Sequence, residues 1–230
     1  MGPAGTVLRF TAATRAFHWV HAVPFLVLLL TGLSLFLPPV KSVHIGGYRL
    51  VPLIHVIVGV AFIVSVPLLV IAVRNRRALA ADLRQALTPE PGDAAWGRYA
   101  VYALLGARVA EPPAGKYNLG QKLNSAFWIA VTAGLMGSGV VLAVNFFTKR
   151  VFGAGFVEQA FTWHDALMFL AIPVLLGHLY LALVNPATRP SLRGILTGRV
   201  DAAWARRHHA RWAAASAPEP SVDVTEPHAG

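Results

Sequence analysis

The sequence contains no cysteine. That excludes disulfides, iron–sulfur clusters, thiolate zinc sites and covalent haem attachment through C-x-x-C-H. Any redox chemistry must therefore use cofactors held by other side chains. Charge is the second shortage: 13% of the 230 residues are Asp, Glu, Lys or Arg, against about 25% in a soluble domain. Together with 56% hydrophobic residues and a mean hydropathy of +0.57, this points to an integral membrane protein. There is no internal repeat at a fixed short period. The first apolar run is about as long as a membrane span and lacks a small-residue cleavage site, so it is expected to remain as a helix rather than act as a signal peptide.

What the chain does have is four long apolar runs, at about 16–38, 50–73, 123–147 and 160–184. Each is long enough to cross roughly 30 Å of hydrocarbon, which takes about 20 residues. The expected fold class is all-α, a bundle of four transmembrane helices within residues 1–215, followed by a tail at 216–230 that is polar, proline-containing and expected to be disordered. Pro24, Pro67 and Pro173 lie inside the runs, where membrane helices tolerate them as local kinks.

The net charge of +10 follows topology rather than nucleic acid. Sixteen of the twenty Lys and Arg lie in the N-terminus, the connection 74–122 and the tail after 184, leaving only Lys41, Arg49, Lys149 and Arg150 in the other two connections. Such an excess marks the cytoplasmic side, so both termini are expected there. Within the long connection, RNRRALAADLRQAL reads either as an amphipathic helix on the anionic leaflet or as a solvated loop helix. The tail segment LTGRVDAAWARRHHARW reads as a second basic helix facing membrane or partner.

Of nine histidines, His44, His208, His209 and His228 are expected to face solvent or a partner. His18, His21, His55, His164 and His178 lie in or near spans, where an ionisable side chain is a functional candidate. His164 and His178 are fourteen positions apart. On one helix that puts them about 40° apart around the axis and roughly 21 Å apart along it. His55 enters the second span at the same outer depth as His164, while His18 opens the first span at the inner depth of His178. Two histidine pairs at two depths are what two six-coordinate haems, stacked across the bilayer, require; neutral imidazole is a good iron ligand. His21, one turn deeper than His18, competes with it for the inner haem. Arg15 is either a partner for a haem propionate or a topology charge, and Arg49 stands in the same position at the outer level. The glycines of GLMGSG (Gly134, Gly137, Gly139) admit either a porphyrin or, as the commoner case, a neighbouring helix.

RAFHW at the first span, GKYNLGQKLN before the third, GHLYLALVNP in the fourth and LRGILTGRVDAAWARRHHARW after it resemble the cytochrome b (gamma) subunit of respiratory formate dehydrogenase. The likeness covers nearly all of the chain except the last fifteen or so residues. Its more specific parts are KYN-x-GQK and W-A-x-x-HH-x-RW; the four histidines alone suit the wider group of hydrogenase and thiosulfate-reductase cytochromes. The resemblance implies a di-haem, four-helix protein with two haems b. His55 and His164 would hold the haem nearer the periplasm, and His18 and His178 the one nearer the cytoplasm. It further implies a quinone site (menaquinone or ubiquinone) beside the inner haem, built from Asn118, Gly120 and the region of His178. The implied partners are an iron–sulfur subunit as electron donor and a molybdenum- or tungsten-pterin subunit that oxidises formate. The chain itself is expected to do no formate chemistry. Lys116, Gln121 and Lys122 either assist proton delivery to quinone or cap the start of the third span. Outside redox chemistry, the competing reading is a haem-free transporter using intramembrane histidines.

Overall fold

The computed structural model describes residues 5–41, 43–148 and 151–216. Four long helices dominate it, at Ala12–Ser34, Leu50–Ala72, Leu119–Thr148 and Ala154–Leu179, the last prolonged by a π-helical turn at Tyr180–Val184. All four are long and apolar enough to cross a membrane. Exposed Leu30, Ile57, Leu68 and Leu176 present hydrocarbon outward, as a lipid-facing surface demands. The first, third and fourth helices start before the apolar runs do, because polar residues extend them beyond the apolar stretch. Thr11 caps the first, its Oγ1 accepting from the Thr14 N–H at 3.2 Å.

The first and second spans pack as one antiparallel hairpin and the third and fourth as another. The two hairpins meet around Phe25, Val131 and Ala171, with Leu29, Phe127, Trp128, Leu135, Leu167 and Leu175 filling in. Gly134 permits the close approach within the second hairpin: a Cβ there would lie 2.6 Å from Leu167 Cδ1. Helix packing, rather than an open porphyrin face, is thus what Gly134 serves.

At one end of the bundle the connections are short. A helical turn at Pro38–Lys41 leads into a two-stranded ladder pairing His44 with Arg49 and Ile45 with Tyr48. Arg49 is exposed here as the residue preceding the second span, and His44 is exposed beside it. The other end carries both termini. There, strand Thr6–Leu8 pairs antiparallel with Arg199–Asp201, Thr6 opposite Asp201. Among the described residues the otherwise helical fold thus has two short ladders that apolar periodicity does not announce.

The helix at Arg76–Leu87 packs one face against the first and third spans, burying Leu79, Asp82 and Ala86, while Arg76, Arg77 and Arg84 stay exposed on the other. A second helix, Asp93–Leu104, braces the start of the third span. The tail differs from expectation. Helices Ala202–His208 and Ala210–Ala215 fold back so that Val200, Trp204 and Ala205 form a small core with Val7 and Trp212. Arg9 is buried in that core, its guanidinium 5.2 Å from the Phe10 and Trp204 ring centres and 5.7 Å from Trp212. His209, expected at the surface, is 1% exposed and bonds through Nδ1 to the Gly115 carbonyl at 2.8 Å. His208 is paired as well, with Glu111 at 2.8 Å. Residues 217–230, including His228, lie outside the described residues, as do Lys149 and Arg150.

Candidate functional site

The histidines of the spans meet in two pairs. Near the end away from the termini, His55 of the second span and His164 of the fourth face each other with ring centres 6.2 Å apart. Near the end that carries the termini, His18 of the first span and His178 of the fourth stand 6.5 Å apart. All four are half-buried. The fourth span contributes to both pairs, and His178 lies two residues before the π-helical turn. A widened turn of this kind re-aims side chains and recurs at functional sites.

His21 stays out of both pairs. It stacks on Phe25 and meets Phe62 and Trp128 edge-on at 5.3 and 6.5 Å, with Nε2 3.4 Å from Thr132 Oγ1. These are the contacts of a histidine packed in a helix interface.

The outer pair has hydroxyl partners that the apolar pattern concealed. His55 Nδ1 lies 2.8 Å from Thr31 Oγ1, and His164 Nδ1 lies 2.9 Å from Ser138 Oγ. Gly32 and Gly139 leave room beside the same rings: a Cβ would fall 3.4 Å from His55 Cε1 and 3.5 Å from His164 Cε1. At the inner pair, His18 Nδ1 is buried without a hydrogen-bond partner. Four imidazoles in two facing pairs suit ions whose remaining ligands come from a macrocycle. Among the described residues, no group of three or more His, Asp or Glu comes together as a protein-only metal site would need.

Asn118, Gly120, Gln121 and Lys122 open the third span. Asn118 Oδ1 accepts from the Gln121 N–H at 2.9 Å, and Gln121 Oε1 accepts from the Asn118 N–H at 3.1 Å. This reciprocal pattern is a capping box, and it occupies the Gln121 side chain oxygen. Gly120 makes room for Trp96, whose Cη2 would lie 2.9 Å from an added Cβ. Lys122 is buried, bonded to Asp93 at 2.9 Å with Glu90 at 3.6 Å. Burial pulls the Asp93 carboxyl up, but the Lys122 hydrogen bond, the Glu90 N–H and the Lys122 and Arg211 charges outweigh it and hold it below the usual range. Lys116 pairs with Asp82, whose other oxygen accepts from Thr14 Oγ1 at 2.5 Å. Arg15 reaches the Leu196 carbonyl at 2.7 Å, tying the first span to the helix at Ser191–Thr197. Sequence pattern alone does not single out Arg9, Thr14, Asp82, Glu90 or Asp93; the isolated acidic residues in a basic connection are the available signal.

The model of the family described as prokaryotic cytochrome b561 matches residues 9–198, which include both histidine pairs. The chain belongs to this family. Membership makes it a b-type cytochrome with haem b as cofactor, and agrees with the multi-pass character of its four apolar helices. Among curated proteins, the cytochrome is similar to the formate dehydrogenase cytochrome b556 subunit of Haemophilus influenzae, 27% identical over 210 residues, 90% of this chain and 82% of that one. It is also similar to the nitrate-inducible formate dehydrogenase cytochrome b556(Fdn) subunit of Escherichia coli K12, 26% identical over 216 residues and 92% of each chain. The cytochrome b556(fdo) subunit of the same organism is 26% identical over 211 residues, 90% of this chain and 92% of that one.

Proposed function

We propose that the chain is the di-haem membrane anchor of a formate dehydrogenase complex in the bacterial inner membrane. The relatives' names supply the complex. The observation that carries the haem assignment is the spacing of the rings. An imidazole nitrogen binds a first-row metal at about 2.0–2.1 Å and lies about 1.2 Å from its own ring centre, so two rings flanking one ion have centres about 6.4 Å apart. The two pairs stand at 6.2 and 6.5 Å. On this reading His55 and His164 hold the haem nearer the periplasm, and His18 and His178 the one nearer the cytoplasm, the side that the excess of basic residues around both termini supports. Haems bound there would carry electrons inward from an iron–sulfur subunit to quinone, with formate oxidised on a separate molybdenum- or tungsten-pterin subunit.

The residues of this chain do the holding and the positioning. The quinone site is assigned to Asn118, Gly120 and the neighbourhood of His178, at the cytoplasmic end. Asn118 commits its Oδ1 to the helix cap, which leaves its amide NH2 as the donor for a quinone carbonyl. Lys116 and Lys122, engaged in ion pairs, brace the segment that carries Asn118. The test is a pyridine haemochrome assay and a reduced-minus-oxidised spectrum of the purified protein. Two b haems per chain, both low-spin and reducible by formate through copurifying subunits, are expected. One haem per chain, or a high-spin signal from intact protein, refutes the assignment.

A further inference from the structure

The outer pair takes its histidines from the second and fourth spans, but the groups that hold those histidines come from the first and third. A hydroxyl has one proton to give. Thr31 Oγ1 lies 2.8 Å from the Val27 carbonyl and 3.1 Å from that of Leu28, both of which can only accept. Ser138 Oγ likewise donates to the Gly134 carbonyl at 2.8 Å. Each hydroxyl can thus give its proton to the helix backbone and accept from the imidazole, the arrangement in which His55 and His164 carry their proton on Nδ1 and the lone pair on Nε2. The residue after each hydroxyl is glycine, which clears the Cε1 edge between the two nitrogens. The same Thr/Ser–Gly step thus occurs twice, once beside each outer histidine, on helices that contribute no outer histidine themselves.

We propose that Thr31–Gly32 and Ser138–Gly139 are positioning elements that fix the tautomer of His55 and His164 and tune the iron they hold. The proposal rests on the haem assignment above. A hydrogen bond accepted from Nδ1–H makes the imidazole a stronger donor through Nε2. Stronger donation stabilises ferric over ferrous iron and lowers the reduction potential. Both outer ligands have such a bond, whereas His18 Nδ1 of the inner pair is buried without one. The outer haem is thereby set below the inner one, which drives electrons inward against the membrane potential.

The test compares Thr31→Val and Ser138→Ala with the conservative Thr31→Ser and Ser138→Thr, all purified in the assembled complex. Three quantities are read from each sample: haem per chain, the midpoints of the two b haems by redox titration, and their low-spin EPR g-values. In Thr31→Val and Ser138→Ala the lower midpoint rises and its g-values change, while the higher midpoint stays put. Thr31→Ser and Ser138→Thr return both to wild-type values. Loss of one haem in Thr31→Val but not in Thr31→Ser also supports the positioning role. Unchanged midpoints and g-values in all variants overturn it, as does equal haem loss in the Val and Ser variants. Failure of the haem assignment itself shows separately: His55→Ala and His164→Ala would then keep both haems.

Discussion

Acidification should open the tail of this protein. His209 sits between Trp204 and Trp212, with its Nδ1 on the Gly115 carbonyl and the Arg9 guanidinium close by. Burial, and then the Arg9 charge, lower its pKa to about 3 against the opposing pull of the Gly115 hydrogen bond. An unfolded histidine titrates near 6.5. Since the folded ring resists protonation, the folded tail is at full stability above about pH 6.5 and loses it as pH falls towards about 3. At pH 5 the open tail binds a proton that the closed tail refuses, which costs about 2 kcal/mol, or roughly a thirty-fold rise in opening. Hydrogen exchange at residues 202–215, corrected for intrinsic rates, should show that loss of protection between pH 7.5 and pH 5. His209→Asn, which has no titrating ring, should show a flat profile. Equal protection at both pH values, or the same decline in the variant, would refute the reasoning.

Other outcomes follow from the bundle itself. His18→Ala should lose the inner haem alone and His21→Ala neither, as counted by pyridine haemochrome; the opposite result would move the ligand by one turn. Asn118→Asp keeps a capping oxygen but removes the amide donor, so it should assemble normally yet reduce quinone about five-fold or more slowly, from a lost hydrogen bond of about 1 kcal/mol. Asn118→Leu should also lose the cap, at a further cost of about 1 kcal/mol in stability, read as assembled yield. Normal quinone turnover in the Asp variant would remove Asn118 from the site. Gly134→Ala places a methyl group against Leu167 and should destabilise the second hairpin by about 1–3 kcal/mol in thermal unfolding. Adding Leu167→Ala should relieve part of that loss.

The spans were legible because twenty apolar residues in a row admit few other structures. The pairing of the histidine rings was legible because alternating span direction turns sequence position into depth: His55 and His164 come close, and so do His18 and His178. The tail was not legible. Its burial depends on contacts between residues almost two hundred positions apart, such as Arg199 Nε with Thr6 Oγ1 at 3.0 Å, and helical periodicity carries no trace of them. For that reason His209 reads as a surface residue in the basic run ARRHHARW although it is buried. Thr31 and Ser138 were missed because hydroxyls are common in membrane helices, where each can satisfy its own backbone. Their glycine neighbours are the visible sign, and of these Gly139 stands in the GLMGSG run that admits either a porphyrin or a neighbouring helix.

The division of the bundle into two hairpins bears on how the protein is put together. Thr31 and His55 belong to the first hairpin, Ser138 and His164 to the second, so each imidazole is oriented before the halves touch. On the ligation proposed here, each haem takes one histidine from each hairpin and so straddles the seam between them. A newly inserted chain would then hold two prepared half-sites that the cofactor bridges, beside the apolar contacts at Phe25, Val131 and Ala171. A ligand bound solely by the joined form stabilises that form by an amount that grows with the logarithm of its concentration over Kd. Haem supply would thereby favour maturation, adding a bridge across a seam that the apolar core alone holds otherwise.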